Sequence, residues 1–566
     1  MASPPTPSAI IVGAGPSGIA LAHTLKCRLG FDNFEVFEKL EGVGGTWRRN
    51  TYPGCGCDVP SHLYSFSFNL NPNWSKELCE QNEILEYMEA TVDKFNLRPH
   101  FKCGVSCIGA QWMSESNTWL VQLKDMKTGL AFSRSATIFV SAVGGISEPR
   151  NVEFPGMDTF NGRIFHTAQW EHGYDYKGKR MAVIGNGCSA AQVIPAVQPK
   201  VLKVTQYARS PQWYHERPNR AFTSFEKLCF KYVPFVQRCL RLRLFLDSDS
   251  LAKTYGSTEA SKEHRAGVEQ HAKEYIYKMT PKEYHDFIVP EFPLGCKRRI
   301  FDPDYLKTLH CKNVELIPEG IKRIDPTGIV SDSGIHEEFD VIVLATGFQV
   351  QNFLATIELV GKNGEKIHRQ WDKHRGAQAY LGTYVHNFPN FAILFGPNTF
   401  PAHNSVIYSS EVQVEYIAKT LFAPIIDHRA RTIEVKAAAE EQFAVEMDEQ
   451  LKLSGAVFSA GCSNWYINSA GRNSASWPGK AAHFWYATWV PQWKSYTLSG
   501  GDYTWFLRRL YRYAKAGAMS KLGVVGVLFA GMIMAQQKMP FVYPERFLDT
   551  FQNFLSSVSS SSVRLV

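Results

Sequence analysis

Short apolar runs that end in glycine punctuate this chain and set its architecture. "AIIVGAG" begins at residue 9, and its unbroken apolar stretch predicts a strand buried on both faces. A helix is expected from Ser17 to about Leu29, then a second strand at "FEVFEK". The same strand-and-glycine pattern returns at "RMAVIGNG", residues 180–187. A third apolar strand, "FDVIVLATGF", ends at Phe348 and is expected to return the chain to the first unit. Strands alternating with helices predict an α/β fold, and two glycine turns predict two Rossmann-like dinucleotide-binding domains.

Between Phe222 and Pro290 the pattern changes. "FEKLCFKYVPFVQRCLRLRLF" and "KEHRAGVEQHAKEYIYKM" read as helices, so a helical insertion over about 222–290 is expected in the second unit. The expected organisation is a first dinucleotide domain begun by 1–155 and completed by 331–500, a second over 156–330, and a basic and apolar tail over 501–566. In that tail, "LGVVGVLFAGMIMA" (522–535) has 14 uncharged residues, short of the ~20 a spanning helix needs. Arg508, Arg509, Arg512, Lys515 and Lys521 precede it, which suits contact with a membrane surface over 508–535 as an alternative to a packed helix.

Composition narrows the function. The chain has 566 residues, 45% hydrophobic, with a formal charge of +8. The cations are dispersed, so a nucleic-acid footprint is not expected. Twelve cysteines occur without C-x-x-C pairs, which reads as reduced thiols in an intracellular, cytoplasmic setting. The N-terminus "MASPPTPS" has no charged region of the secretory kind. "YPGCGCDVPSH" (52–62) contains residue types that bind metals. A structural zinc site needs four ligands, and only Cys55, Cys57 and His62 are local, so no metal is expected.

The candidate chemistry lies in the two turns. Gly13, Gly15 and Gly18 give the tight turn, the close approach to a pyrophosphate and the helix–strand contact. Glu38 follows Gly18 by 20 residues and suits ribose hydroxyls. The second turn contains Gly185, Gly187, Ser189 and Ala190, and the next strand ends at Arg209 and Ser210 without an acid. An arginine there pairs with a 2′-phosphate, which favours NADPH over NADH. Two such sites in one chain suggest a flavin reduced by a nicotinamide, FAD at the first and NADPH at the second. Gly44 and Gly45 would let the backbone approach a flat ring beside Thr46 and Trp47.

A third motif joins the turns. Phe160, Gly162, His166 and Trp170 stand at F-x-G-x-x-x-H-x-x-x-W, followed by Glu171. This linker resembles the fingerprint of class I Baeyer–Villiger monooxygenases and related flavin-containing monooxygenases, which usually have Pro or Asp at the last place. "GGTWRRNTYPGCGCDVPSHLYSFSF" (44–68), with Tyr64, "CKRRIFDPDYL" (296–306), "GPNTFPAHNSV" (396–406) and "SASWPG" (474–479) are similar to that family's segments, in a subgroup common in fungi and actinobacteria. Arg299 stands where the family usually has proline.

The resemblance implies an NADPH- and O2-dependent flavoprotein that converts an apolar ketone to an ester or lactone through a flavin C4a-peroxide, with a role in secondary metabolism. By resemblance Arg298 is the catalytic cation, Asp58 orients it, Lys297 joins Arg209 at the 2′-phosphate, and Phe160, His166 and Trp170 couple domain motion. The alternatives are an N- or S-oxygenase of the same superfamily and a flavin disulfide reductase using Cys55 and Cys57.

Overall fold

The computed structural model describes residues 6–502 together with 505, 508 and 509. The stretch 522–535, and with it the expectation of membrane contact through 508–535, lies outside the described residues apart from Arg508 and Arg509. Among the described residues no helix is long and apolar enough to cross a membrane.

Two five-stranded parallel sheets carry the molecule. The first runs, in spatial order, Phe391–Ile393, Ile138–Ser141, Ala9–Val12, Phe34–Glu38 and Phe101–Cys103. The second runs Val314–Ile317, Lys203–Tyr207, Arg180–Ile184, Val341–Leu344 and Arg163–His166. In both, the strand before the glycine turn lies at the centre, so the helix that follows starts over the middle of the sheet. Its strand residues are buried on both sides, as continuous apolar runs require.

One expected strand lies elsewhere. Val341–Leu344 pairs with Arg180–Ile184 and Arg163–His166 in the second sheet, not in the first. An apolar run of four says that a strand is buried but not which sheet buries it. The return to the first sheet comes at Phe391–Ile393. The helix after the first turn spans Pro16–His23 and continues as a wider π turn over Thr24–Arg28. The stretch expected to be helical holds Ser224–Tyr232, Val236–Ser250 and Glu259–Met279.

The cysteines depart from expectation. Cys296 and Cys462, 166 residues apart, form a disulfide. Spacing along the chain gives no sign of it, because the two sulfurs meet only after the C-terminal segment folds back beside residues 296–306. The other ten are free. Cys55 and Cys57 are buried and unpaired with each other, so the C-x-C is not a disulfide here.

Burial acts on the charge of four histidines. Burial lowers His23, His62 and His166 to about 4 and His215 to about 3, from an ordinary 6.5. His62 lies against Phe222 and Phe230 of the insertion.

Two predictions follow from these features. Unfolded, unreduced protein should titrate ten thiols of its twelve cysteines. Reducing it should lower stability by at most about 5 kcal/mol, the loop-closure value for so long a loop, read by denaturant titration. The second concerns acid. In the unfolded chain each of these histidines takes up a proton near pH 6.5 while the folded form does not until about 4. Their contribution to stability is therefore complete above pH 6.5 and is lost as pH falls toward 4. Replacing His23 and His62 by glutamine should flatten the stability-versus-pH slope across that window.

Candidate functional site

At the first turn Gly13 and Gly18 each have a steric reason, whereas a Cβ on Gly15 would meet only an ordinary contact at 3.5 Å. Gly13 has φ of +104°, and a side chain there would strike the Ala142 carbonyl. A Cβ on Gly18 would strike the Gly13 carbonyl, and one on Gly45 would lie 2.7 Å from Gly15 Cα. The two glycine stretches 13–18 and 44–45 thus touch backbone to backbone, a contact the separate motifs do not announce. A cleft opens above them, lined by Gly13, Gly15, Ser17, Glu38, Gly45, Thr46, Arg49 and Tyr64.

Glu38 is buried at the cleft wall, and its carboxylate accepts from the backbone N–H of Ala14 at 2.8 Å and of Leu40 at 2.9 Å. It therefore ties the glycine turn to the end of the neighbouring strand, a structural duty beyond the ribose contact expected of it. Ser17 Oγ lies 2.8 Å from Ser410 Oγ, and Thr46 Oγ1 donates to the Ile146 carbonyl at 3.4 Å. Trp47 Nε1 donates to Tyr64 Oη at 3.1 Å, with the two rings edge to face.

Arg49 was not singled out by the motif. Its Nε is buried without a partner while the residue lines the cleft. An unpaired buried guanidinium donor is costly, and an anionic or carbonyl-rich ligand in the cleft would satisfy it. This donor, the glycine-lined walls and the free end of the helix at Pro16 fit FAD.

The second turn repeats the geometry. Gly185 has φ of +129°, and a side chain would strike the Ala345 carbonyl, whereas Gly187 has open space around it. Open space at the second glycine is what a pyrophosphate requires. Asn186 Nδ2 donates to the Ser210 carbonyl at 2.8 Å, tying the turn to the end of the next strand. Ala190 is fully buried beneath the turn, and Ser189 is near enough to hydrogen-bond Tyr52.

At that strand end two cations approach each other. Lys297 Nζ donates to Ser210 Oγ at 2.6 Å, and burial together with the charge of Arg209 lowers the lysine pKa. Arg209 is exposed. Like charges gathered around a hydroxyl are destabilising until an anion joins them, so this cluster fits a 2′-phosphate.

Between the two turns lies the pair expected from the sequence. Arg298 donates from Nη2 to Asp58 Oδ2 at 2.6 Å and from Nε to the same oxygen at 3.0 Å. Nη1 is directed to the Ala402 carbonyl at 3.5 Å, and the guanidinium lies 6.0 Å from the Phe400 ring centroid. Burial opposes the charge, but Asp58 outweighs it and holds the arginine above its ordinary pKa. Arg298 is therefore cationic at every pH the fold survives.

Cys188, the first residue of the second helix, faces this pair; burial and the Asp58 charge push its thiol up to about 11. Cys55 is pushed up to about 12 by burial. Both are neutral thiols, and Cys188 is the one that lies beside the pair. The loop that carries Asp58 is held to the second helix by Gln192, which donates to the Gly56 carbonyl at 3.0 Å and accepts from Tyr52 Oη at 2.8 Å. Arg217 Nη2 donates to the Cys57 carbonyl at 3.3 Å. Gln192 sits four residues past Cys188, one helical turn along, and that spacing is the only signal that could have flagged it.

The linker motif is built around packing. Gly162 leaves room for the Asp340 carbonyl and the Phe160 ring. His166 ends a strand of the second sheet, and its Nδ1 accepts from the Ala168 N–H at 3.0 Å. Its ring meets Phe348 edge to face, and its Nε2 is buried without a partner. Trp170 packs on Phe165 and Tyr176. None of these four residues is brought into contact with Arg298 or Asp58.

The chain is similar to known proteins over most of its length. The NAD(P)-binding Rossmann-like domain family matches residues 11–81. A Baeyer–Villiger monooxygenase of Pseudomonas aeruginosa is 37% identical over 85% of this chain and 90% of its own. One from Streptomyces coelicolor is 34% identical over 84% and 89%, and the FAD-binding monooxygenase ktnD of Aspergillus niger is 30% identical over 93% and 87%. Among solved structures, cyclohexanone monooxygenase from Rhodococcus sp. Phi1 bound to NADP+ superposes with a TM-score of 0.75 at 28% identity, covering 88% of this chain and 100% of that one. With two dinucleotide turns, an arginine–carboxylate pair between them and relatives matched nearly end to end, the chain belongs to the Baeyer–Villiger monooxygenase family.

Proposed function

We propose that this protein is an NADPH- and O2-dependent monooxygenase that inserts one oxygen atom into an apolar ketone, giving an ester or lactone, with FAD and NADPH as its cofactors. The observation that carries this reading is the Arg298–Asp58 pair held between the two glycine turns. Bound FAD, reduced by NADPH, supplies the activation of O2.

The chain's own residues supply binding and charge. The cleft over Gly13, Gly15, Ser17, Gly18, Gly45 and Thr46 holds the FAD, with Glu38 and Arg49 at its wall. Gly185, Gly187, Ser189 and Ala190 hold the nicotinamide dinucleotide, with Arg209, Ser210 and Lys297 on its 2′-phosphate. Arg298 stabilises negative charge that builds on oxygen during attack on the ketone. A permanently protonated guanidinium suits that work, because it presents several donors and gives up no proton. Asp58 occupies Nε and Nη2, which fixes the plane of the guanidinium. Phe400, Trp47 and Tyr64 provide apolar surface nearby, which reduces the pair's exposure to water and strengthens each charge interaction. Cys188, Cys55 and Cys57 contribute wall surface as neutral thiols.

The decisive assay is NADPH consumption with a panel of ketones and thioethers, with products weighed for the gain of one oxygen. Ester or lactone from ketones is expected; exclusive oxygenation of thioethers would replace this reading with heteroatom oxidation. Arg298→Ala should keep reduction of FAD by NADPH and lose ester formation. Ester formation at the normal rate would remove Arg298 from this role. For the coenzyme, Arg209→Ala and Lys297→Ala should each raise the KM for NADPH about ten-fold, the cost of one charge-assisted bond. The KM for NADH should stay unchanged.

A further inference from the structure

We infer that the first helical hairpin of the insertion is a docking surface for an anionic lipid bilayer. Its two helices, Ser224–Tyr232 and Val236–Ser250, have an anchored underside and a bare top. The underside is bound to the stretch 62–71. Phe222 and Phe230 pack on His62, and Gln237 Nε2 donates to the Asn71 carbonyl at 2.7 Å. Arg241 donates to the carbonyls of His62, Leu63 and Ser65.

Among the described residues the top has no such partners. Phe225 is 73% exposed, Leu228 55%, Tyr232 65% and Phe235 74%. Phe225, Leu228 and Tyr232 lie at i, i+3 and i+7, so they share one face of the helix. Residues 231–236, "KYVPFV", are exposed without a break. A run of apolar residues in water is disfavoured unless it has a use. Phe235 also has φ of +69°, a conformation that strains a bulky side chain, and it projects the ring outward at the tip.

The charges around this face select the occupant. Lys227, Lys231 and Arg238 lie among the apolar residues, while Arg243 is paired with Asp247. The only acid between residues 225 and 243 is Glu226, which is engaged by Arg220 and by the backbone N–H of Thr223. A second copy would bring like charges together. The tail 507–566 carries eight basic and two acidic residues, a net charge of the same sign as the hairpin's. Aromatic and aliphatic side chains amid lysine and arginine match the boundary between anionic headgroups and acyl chains.

The test is flotation of the full-length protein with vesicles of phosphatidylcholine alone or with about 30 mol % phosphatidylserine, a strongly anionic surface. The wild type should float with the anionic vesicles and far less with the neutral ones. Phe225→Ser with Phe235→Ser should lower the partition coefficient about ten-fold or more, since both rings are lost from the interface. Lys231→Glu, a single exposed change safe for folding, should lower it on anionic vesicles only, about five-fold per unit charge. Basal NADPH oxidation should be unchanged in both variants. Equal flotation of wild type and variants would overturn the proposal and assign any binding to the tail. Absence of flotation would overturn it as well, as would concentration-dependent dimers that the hairpin variants abolish. The readout is partition rather than turnover, so it stands or falls separately from the proposed reaction.

Discussion

A guanidinium only 27% exposed needs a counter-charge, and a carboxylate 26% exposed beside it needs the same. Arg298 and Asp58 satisfy each other across 240 residues of sequence. Their contact requires the loop after the first glycine turn to meet the segment that follows the helical insertion. Much of the surrounding structure serves that meeting. Gln192 holds the Asp58 loop to the second helix, and the Cys296–Cys462 disulfide fastens the residue two before Arg298 to the C-terminal segment. The Ala402 carbonyl, from the segment 396–406, closes the arginine's remaining side. The pair is thus the point where both dinucleotide units and the C-terminal segment converge.

The two glycine turns are alike in backbone and unlike in charge. Each central strand leads into a left-handed glycine that a carbonyl overlies, Ala142 at the first and Ala345 at the second. At the first, a buried glutamate satisfies two backbone N–H groups and closes the turn. At the second, the corresponding region offers Arg209 and Lys297 around Ser210. The same fold therefore sets an acid at one turn and two cations at the other, which under the proposed function would separate a ribose hydroxyl from a ribose phosphate.

The insertion joins both themes. His62, four residues after Asp58, is covered by Phe222 and Phe230 and accepts no proton until about pH 4. The hairpin carries apolar side chains on its exposed outer face as well as on its inner one.

Much of this was legible in the residues themselves. Strand, glycine spacing and following acid or arginine are local patterns, and local backbone geometry dictates them; the helical stretch after Phe222 is local in the same way. The pairing of Asp58 with Arg298 was legible only through resemblance, because nothing in either segment names its partner. Sheet membership of Val341–Leu344, the disulfide between Cys296 and Cys462, the orphaned Arg49 donor and the grip of Gln192 on the Asp58 loop were decided by tertiary structure alone. The physical reason is common to all four. An apolar strand, a thiol or a polar donor has the same chemistry wherever it lies, and which neighbour satisfies it depends on segments more than a hundred residues away.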